Sequence, residues 1–240
     1  MFISIGIDCD TAEIIKKNNL REMAFPFDWV VTYNGVAKII QNNFKDFLPN
    51  SGSEILNPKS NSLFLHHKFP NNKDKFIRRI RRMDHILKTT KERVFFIRKG
   101  HVKYHHHEQN GRYQNIKCDI LDAEDLNKVL KEKYPNLKYT IIVILCCNKC
   151  YHQDKKYLSK TDNVRIFKVI KEKPKQDELD KVLKMIINEY KIKPKKKVRK
   201  HAGIVQSGGN KGKLKKGYRY SGKKTSTGLP LIVKCKKKKC

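Results

Sequence analysis

Acidic residues and long apolar segments are scarce in this chain. It contains 23 Asp and Glu against 55 Lys and Arg, which gives a formal net charge of +32. No apolar run approaches the roughly 18 residues that a membrane-spanning helix needs, and the first apolar stretch lacks the basic segment that opens a signal peptide. These absences predict an intracellular protein with no transmembrane segment.

Two common site patterns are also missing. The seven cysteines, an odd number, do not suit the paired framework of a small secreted domain, so we expect a reducing compartment. No glycine-rich phosphate loop of the usual spacing occurs, which weakens the case for a transferase acting on a nucleotide-linked substrate. Hydrophobic residues make up 38% of the chain, a lean proportion that still allows one packed domain.

Positive charge is concentrated near the carboxyl terminus. Residues 193–240 contain 18 Lys and Arg and no Asp or Glu, so the first 192 residues have a net charge of +14. A segment this polar does not fold alone. We therefore predict an α/β domain over residues 1–192 and a disordered Lys/Gly-rich tail over residues 193–240, with a polyanion such as DNA or RNA as the partner of the tail.

The tail interleaves lysine, glycine and tyrosine. Lysines neutralise phosphates and tyrosines stack on bases, and a solvated tail without a ligand is the alternative. The predicted nucleic-acid contacts are Lys195, Lys196, Lys197, Arg199, Lys200, Lys211, Lys213, Lys215, Lys216, Tyr218, Arg219 and Tyr220. The tail is similar to short basic tails on proteins of giant DNA viruses, which implies a location in the host cytoplasm, a viral factory or the virion.

Apolar strand patterns alternate with helical ones along the first 192 residues, which predicts an α/β fold: three layers, with a mainly parallel sheet covered by helices on both faces. The predicted strands are the apolar run from Phe2 to Ile7, Leu63–His67, Val94–Ile97, Tyr139–Leu145 and Val164–Val169. The predicted helices follow Thr11 and cover Asn34–Phe47, Asp74–Thr89, Asp122–Glu132 and Asp177–Tyr190. Residues 49–62 and 101–117 are predicted to be polar loops.

Three polar segments lie at the carboxyl ends of predicted strands. They are Cys9, the pair His66–His67 and the pair Arg98–Lys99. Because functional residues of parallel sheets gather at the carboxyl ends of the strands, we expect these segments to converge.

A nucleophilic cysteine is the reactive group that this pattern favours. Cys9 lies between the first strand and a helix whose N-cap is predicted to be Asp10 or Thr11, and the positive end of a helix stabilises a thiolate. The neighbouring carboxylates oppose this effect, and a small, inert, buried cysteine is the alternative. His67 is the candidate base and Asp28 the candidate orienting group.

Other residues suggest ligand binding. Arg78, Arg79, Arg82 and Arg98 are candidates for binding an anion or substrate. For the three on the helix, the alternative is a solvated face that pairs with local carboxylates. Cys147 and Cys150 have zinc-like spacing, but a structural site needs a second pair of ligands, which only Cys118 or the histidines at 105–107 could supply. We therefore expect no metal and no cofactor.

Six separated motifs carry a family resemblance. They are Ser4-Ile5-Gly6-x-x-Cys9, Leu20-Arg21, Phe27-Asp28-Trp29, His67-x-Phe69, Arg78-Arg79-Ile80-x-Arg82 and Phe95-Phe96-Ile97-Arg98. In this order, over about residues 2–145, the chain resembles an uncharacterised family of predicted papain-like cysteine peptidases from bacteria and large DNA viruses. The resemblance implies that Cys9 is the nucleophile and His67 the base.

Hydrolase or acyl-transfer chemistry is therefore the leading hypothesis, with a peptide, ester or amide as substrate and the N–H groups at the start of the first helix as oxyanion donors. The alternative is a non-catalytic protein that its tail attaches to nucleic acid, for example during virion packaging. A transferase for a phosphorylated substrate, using the arginines, is the third possibility.

Overall fold

The computed structural model describes residues 1–33, 35–57, 59–100, 118–145, 163–169, 176–193, 217–224, 226 and 230–234. Its elements, in chain order, are β1 (Phe2–Ser4), α1 (Cys9–Lys17), β2 (Val31–Thr32), α2 (Ala37–Gln41), β3 (Gly52–Asn57), β4 (Ser62–Phe69), α3 (Lys73–Thr89), β5 (Val94–Gly100), α4 (Asp119–Lys133), β6 (Tyr139–Leu145), β7 (Val164–Lys168), α5 (Gln176–Glu189), β8 (Tyr218–Lys224) and β9 (Pro230–Lys234).

A four-stranded parallel sheet forms the centre of the domain, with strand order β1-β5-β6-β7. In its register Phe2 lies opposite Phe95, and Ile141 lies opposite both Phe96 and Val164. All seven residues of β6 are buried. This explains the unbroken apolar run of β6, because a central parallel strand is covered on both faces.

Helices cover both faces of this sheet. Ile3, Phe96 and Ile141 point to the face where the apolar side chains of α3 and α4 pack. The intervening residues Phe2 and Ile142 point to the opposite face, where α1 and α5 pack. The predicted three-layer α/β fold is therefore confirmed, because strand residues alternate between two buried faces.

A second, antiparallel sheet of order β2-β4-β3 was not predicted. The predicted loop over 49–62 is wrong where β3 runs, since Gly52 pairs with Phe69 and Asn57 pairs with Ser62. The strand predicted over Leu63–His67 is longer than expected. It runs from Ser62 to Phe69, so the two histidines lie within an antiparallel strand and not at the carboxyl end of a parallel one.

The chain divides into two compact units, Met1–Pro194 and Lys195–Cys240. In the second unit, β8 and β9 form an antiparallel hairpin in which Tyr218 lies opposite Lys234 and Tyr220 lies opposite Ile232. The sequence analysis did not predict this hairpin. Across the described parts of the chain, no helix has the length and apolar character needed to cross a membrane.

Candidate functional site

Cys9 is the first residue of α1, directly after the carboxyl edge of β1. The predicted N-cap, Asp10 or Thr11, is wrong: Asp8 caps the helix, and its side chain accepts a hydrogen bond of 3.1 Å from the N–H of Asp10. Capping by Asp8 moves the helix start to Cys9, so the partly buried thiol lies in the first turn of α1, and the N–H of Cys9 itself contacts it.

The turn from β1 to α1 is fixed by hydroxyl groups. Thr11 Oγ1 donates to the carbonyl of Gly6 at 3.0 Å and lies 2.9 Å from Ser4 Oγ. Gly6 has φ +88°, and a Cβ there would lie 2.5 Å from Thr32 Oγ1 and 2.8 Å from Arg98 Nη1. Glycine is therefore required at this position by both backbone conformation and space.

Negative charge surrounds the Cys9 thiol. Burial raises its pKa most, and Asp8, Glu13 and Asp10 raise it further, while the N–H of Cys9 itself lowers it. The Lys99 ammonium group lies 2.8 Å from Asp8 Oδ2 and also contacts Asp10, so its positive charge is paired with these two carboxylates. The thiol is consequently protonated at neutral pH, and it needs a base to become a nucleophile.

His67 lies on β4 with its ring packed edge-to-face against Phe76 of α3, the ring centroids being 4.9 Å apart. The side chain is buried, and neither ring nitrogen has a hydrogen-bond partner. Burial lowers its pKa to about 4, with further lowering by the charges of Lys75 and Arg79. The imidazole is thus neutral at pH 7, and no hydrogen bond joins it to Cys9 or to Asp28.

Asp28 forms a buried ion pair away from the imidazole. One oxygen, Oδ2, accepts from Arg21 Nη2 at 2.7 Å and from the N–H of Phe25 at 3.1 Å. Burial raises the pKa of Asp28, and the neighbouring Arg21 opposes that rise. The contacts of Asp28 fix the segment between α1 and β2.

The four arginines that are candidates for binding an anion or substrate lie in different environments. Arg78 is exposed, and Arg82 is exposed with Nη1 donating to the carbonyl of Ala24 at 3.0 Å. Arg79 is buried, with its guanidinium 5.3 Å from the centre of the Phe76 ring. Arg98 lies in the interior of the α/β domain.

Arg98 of β5 is 99% buried, and its side chain contacts β2, α4 and the segment that follows β1. Nε donates to Asp119 Oδ1 at 2.6 Å, and Nη1 donates to the carbonyl of Ile5 and to Thr32 Oγ1, each at 2.8 Å. Nη2 donates to the carbonyl of Thr32 at 2.7 Å. Asp122 lies nearby and accepts from the N–H of Val36 at 3.0 Å.

Sequence reasoning missed Asp119, Asp122 and Thr32 as polar residues of the interior. The available signal was an arginine at the end of an apolar strand followed by two acids in the first turn of the next helix. The sequence drew attention to Lys99 only through its position near the end of a predicted strand. In the structure it contacts Asp8 and Asp10, the carboxylates on either side of Cys9.

Several predicted residues lie outside the described part of the chain: Lys195, Lys196, Lys197, Arg199, Lys200, Lys211, Lys213, Lys215, Lys216, Cys147 and Cys150. Tyr218, Arg219 and Tyr220 lie on β8. Within the described ranges, no three His, Cys, Asp or Glu side chains are grouped as metal ligands would be.

Residues 1–68 match the model of the family described as "Putative papain-like cysteine peptidase (DUF1796)". The matched segment contains Cys9, Asp28 and His67 and ends within β4. No curated protein and no solved structure matches the chain.

Proposed function

We propose, from the similarity of residues 1–68 to that cysteine peptidase family, that the protein is a thiol-dependent hydrolase or acyltransferase with Cys9 as nucleophile and His67 as general base. The supporting observation is that the similar segment includes both residues and has its cysteine in the first turn of α1. A peptide is the substrate class that the family description suggests, and esters and amides react by the same chemistry.

In the proposed reaction, the Cys9 sulfur forms a bond to the substrate carbonyl carbon, and the bond to the leaving amine or alcohol breaks. The thiol proton passes to His67 and from there to the leaving group. Water, or another acceptor with a hydroxyl or amine, then cleaves the thioester and returns a proton to the sulfur. The N–H of Cys9, which lies against its own sulfur, is the proposed oxyanion donor.

The charges at the site explain why a base is required. The raised pKa of Cys9 leaves little thiolate at pH 7, so the proton must leave as the sulfur attacks. His67 is in the neutral form that accepts a proton. Because no hydrogen bond joins the two in the free protein, the proposal requires that substrate binding brings them together.

Acylation by an activated ester tests this proposal. We expect p-nitrophenyl acetate to acetylate Cys9, as located by peptide mass spectrometry, and we expect His67→Gln to slow the reaction at least about 100-fold, since a general base contributes that much. Cys118→Ala removes the other cysteine among the residues that the structure describes and should leave the rate unchanged. Equal acetylation of Cys9 and Cys118, or an unchanged rate in His67→Gln, would contradict the proposal.

A second function, nucleic-acid binding by the tail, is favoured by the charge of the β8–β9 hairpin. Arg219, Lys223, Lys224 and Lys234 are exposed on it, and residues 193–240 contain no acidic side chain to neutralise them. Tyr218 and Tyr220 lie on the same strand, half-buried. We propose that the cations bind backbone phosphates while the tyrosines contact bases.

The salt dependence of binding tests the role of the hairpin. Changing its four exposed cations to Gln should reduce the slope of log K against log[salt] for duplex DNA by up to about 3.6, because each phosphate contact contributes about 0.9. Fluorescence anisotropy at several salt concentrations measures this slope. The matched control changes the exposed Arg81, Lys91, Lys131 and Lys138 of the first unit to Gln, and an equal loss in that control would refute a specific role for the hairpin.

A further inference from the structure

A second polar cluster lies between α3 and the segment that links α1 to β2. It consists of Arg21, Asp28 and Arg79, and we call it the Arg21–Arg79 cluster. Asp28 and Arg21 form the ion pair described above. Arg79 is close enough for its charge to lower the pKa of Asp28, and Asp28 and Arg21 in turn affect the pKa of Arg79. The three side chains therefore form one electrostatic unit.

The cluster contains buried donors that have no acceptor. Arg21 Nε and Arg79 Nη1 are both shielded from solvent and have no hydrogen-bond partner. Arg79 is 92% buried, so water does not surround its guanidinium. An unsatisfied buried donor costs about 1–3 kcal/mol, and more when the group is charged. Two such donors in one cluster indicate that an acceptor completes it.

The charge balance indicates which acceptor this is. Asp28 raises the pKa of Arg79, whereas Arg21, Arg82 and Arg78 all lower it, and burial lowers it most. Arg78 and Arg82 are exposed, so within the cluster one carboxylate, Asp28, is left to balance the two guanidinium groups of Arg21 and the buried Arg79. A neutral acceptor would satisfy the donors but would leave the positive charge uncompensated. An anion satisfies both requirements.

We propose that Arg21 and Arg79 bind an oxyanion, a carboxylate or phosphoryl group, with Asp28 holding Arg21 in position. Guanidinium groups suit this ligand because their N–H donors form a fork that matches two oxygens of a carboxylate or phosphate. The site does not use Arg98, which donates hydrogen bonds to Asp119, Thr32 and Ile5. It goes beyond the proposed thiol chemistry and does not depend on Cys9.

Inorganic phosphate and acetate, each titrated at constant ionic strength against chloride, distinguish the two oxyanions. A saturable rise in melting temperature with phosphate alone would identify a phosphoryl group, and a rise with acetate would identify a carboxylate. Arg79→Met should weaken binding at least about tenfold, because hydrogen bonds to charged groups contribute about 1.5–3 kcal/mol. The matched control Arg81→Met removes an exposed cation from the same helix and should bind as the wild type does.

The wild-type protein provides a second measurement that does not depend on the folding of a variant. The charge of Arg79 lowers the pKa of His67, so a bound anion should raise the midpoint of the His67 ring titration observed by NMR. Cys9→Ser should show the same rise. The proposal is wrong if neither anion gives a saturable effect in the wild type, or if Arg79→Met and Arg81→Met respond equally.

Discussion

Arg98 shows how one residue can look like a ligand in the sequence and prove to be part of the interior. Its place at the end of an apolar strand predicted a role in substrate binding. Its guanidinium instead donates four hydrogen bonds within the interior, to Asp119, to Thr32 and to the Ile5 carbonyl. The sequence cannot reveal this, because the acid that neutralises Arg98 comes from the next helix, 21 residues later.

Removing the Arg98 charge should destabilise the protein strongly. Arg98→Met leaves the Asp119 carboxylate, which is 1% exposed, without its ion-pair partner, and breaking a buried pair in this way costs about 3–5 kcal/mol. Urea denaturation measures the loss in unfolding free energy. Arg81→Met, at an exposed position of α3, should change it by less than about 0.5 kcal/mol.

The double variant Arg98→Met/Asp119→Leu separates the ion pair from packing. Because it removes both charges together, we expect it to lose less stability than Arg98→Met alone. A double variant as unstable as the sum of the two single variants would mean that the pair contributes no coupling and that lost packing explains the effect.

Individual elements were predictable where local patterns determine them. The strand predicted over Tyr139–Leu145 coincides with β6, and the helices predicted over Asp74–Thr89 and Asp177–Tyr190 match α3 and α5 within one residue at each end. In these segments the spacing of the apolar residues matches the positions that are buried, because each element packs one face or both faces against the interior of the domain.

Turn chemistry ended a helix that the apolar pattern extended. The helix predicted over Asn34–Phe47 is only Ala37–Gln41. Asn43, Phe44 and Asp46 have φ values of +54°, +61° and +59°, a left-handed conformation that stops helix propagation. Phe44 and Phe47 still reach the interior, where their rings contact each other 5.5 Å apart, which is why the apolar spacing was misleading.

Strands that are held mainly by backbone hydrogen bonds to a neighbouring strand were not predictable from composition. β3 is rich in polar residues, but its backbone pairs with β4, and backbone hydrogen bonds do not depend on apolar side chains. The same limit applies to the candidate site. The position of Cys9 follows from a local strand–turn–helix pattern, whereas the position of His67 depends on a separate antiparallel sheet.

Two buried titratable groups of the α/β domain affect its stability in opposite directions. Burial raises the pKa of Asp122 from 3.8 to about 6, although Arg98 and the N–H of Val36 oppose the rise. Between pH about 4 and about 6 the folded state therefore holds a proton that the unfolded state has lost. The contribution of Asp122 to the free energy of unfolding is therefore largest at low pH and decreases by about 3 kcal/mol in total as the pH rises.

His67 has the opposite effect over nearly the same range. Burial lowers its pKa from 6.5 to about 4, so between these values the unfolded state binds a proton that the folded state does not. Stability from His67 is present above pH about 6.5 and is lost as the pH falls toward 4, again by about 3 kcal/mol. In the wild type the two contributions largely cancel.

Single substitutions should therefore expose a pH dependence that the wild type conceals. In Asp122→Asn the contribution that falls with pH is removed, while Asn still accepts a hydrogen bond from the start of α2. Relative to the wild type, the unfolding free energy of this variant should therefore rise by about 3 kcal/mol between pH 4 and pH 6.5. In His67→Phe, which retains an apolar contact with Phe76, the contribution that rises with pH is removed, so the unfolding free energy should fall by a similar amount relative to the wild type. Urea denaturation at pH 4.0, 5.0, 6.0 and 7.0 gives both difference curves.

Because the wild-type curve is subtracted, the contributions of the surface carboxylates that all three proteins share cancel, and only the substituted group determines the sign of each difference curve. Difference curves that are flat, or that slope in the same direction, would mean that these two groups do not titrate with the opposite shifts that their buried positions require.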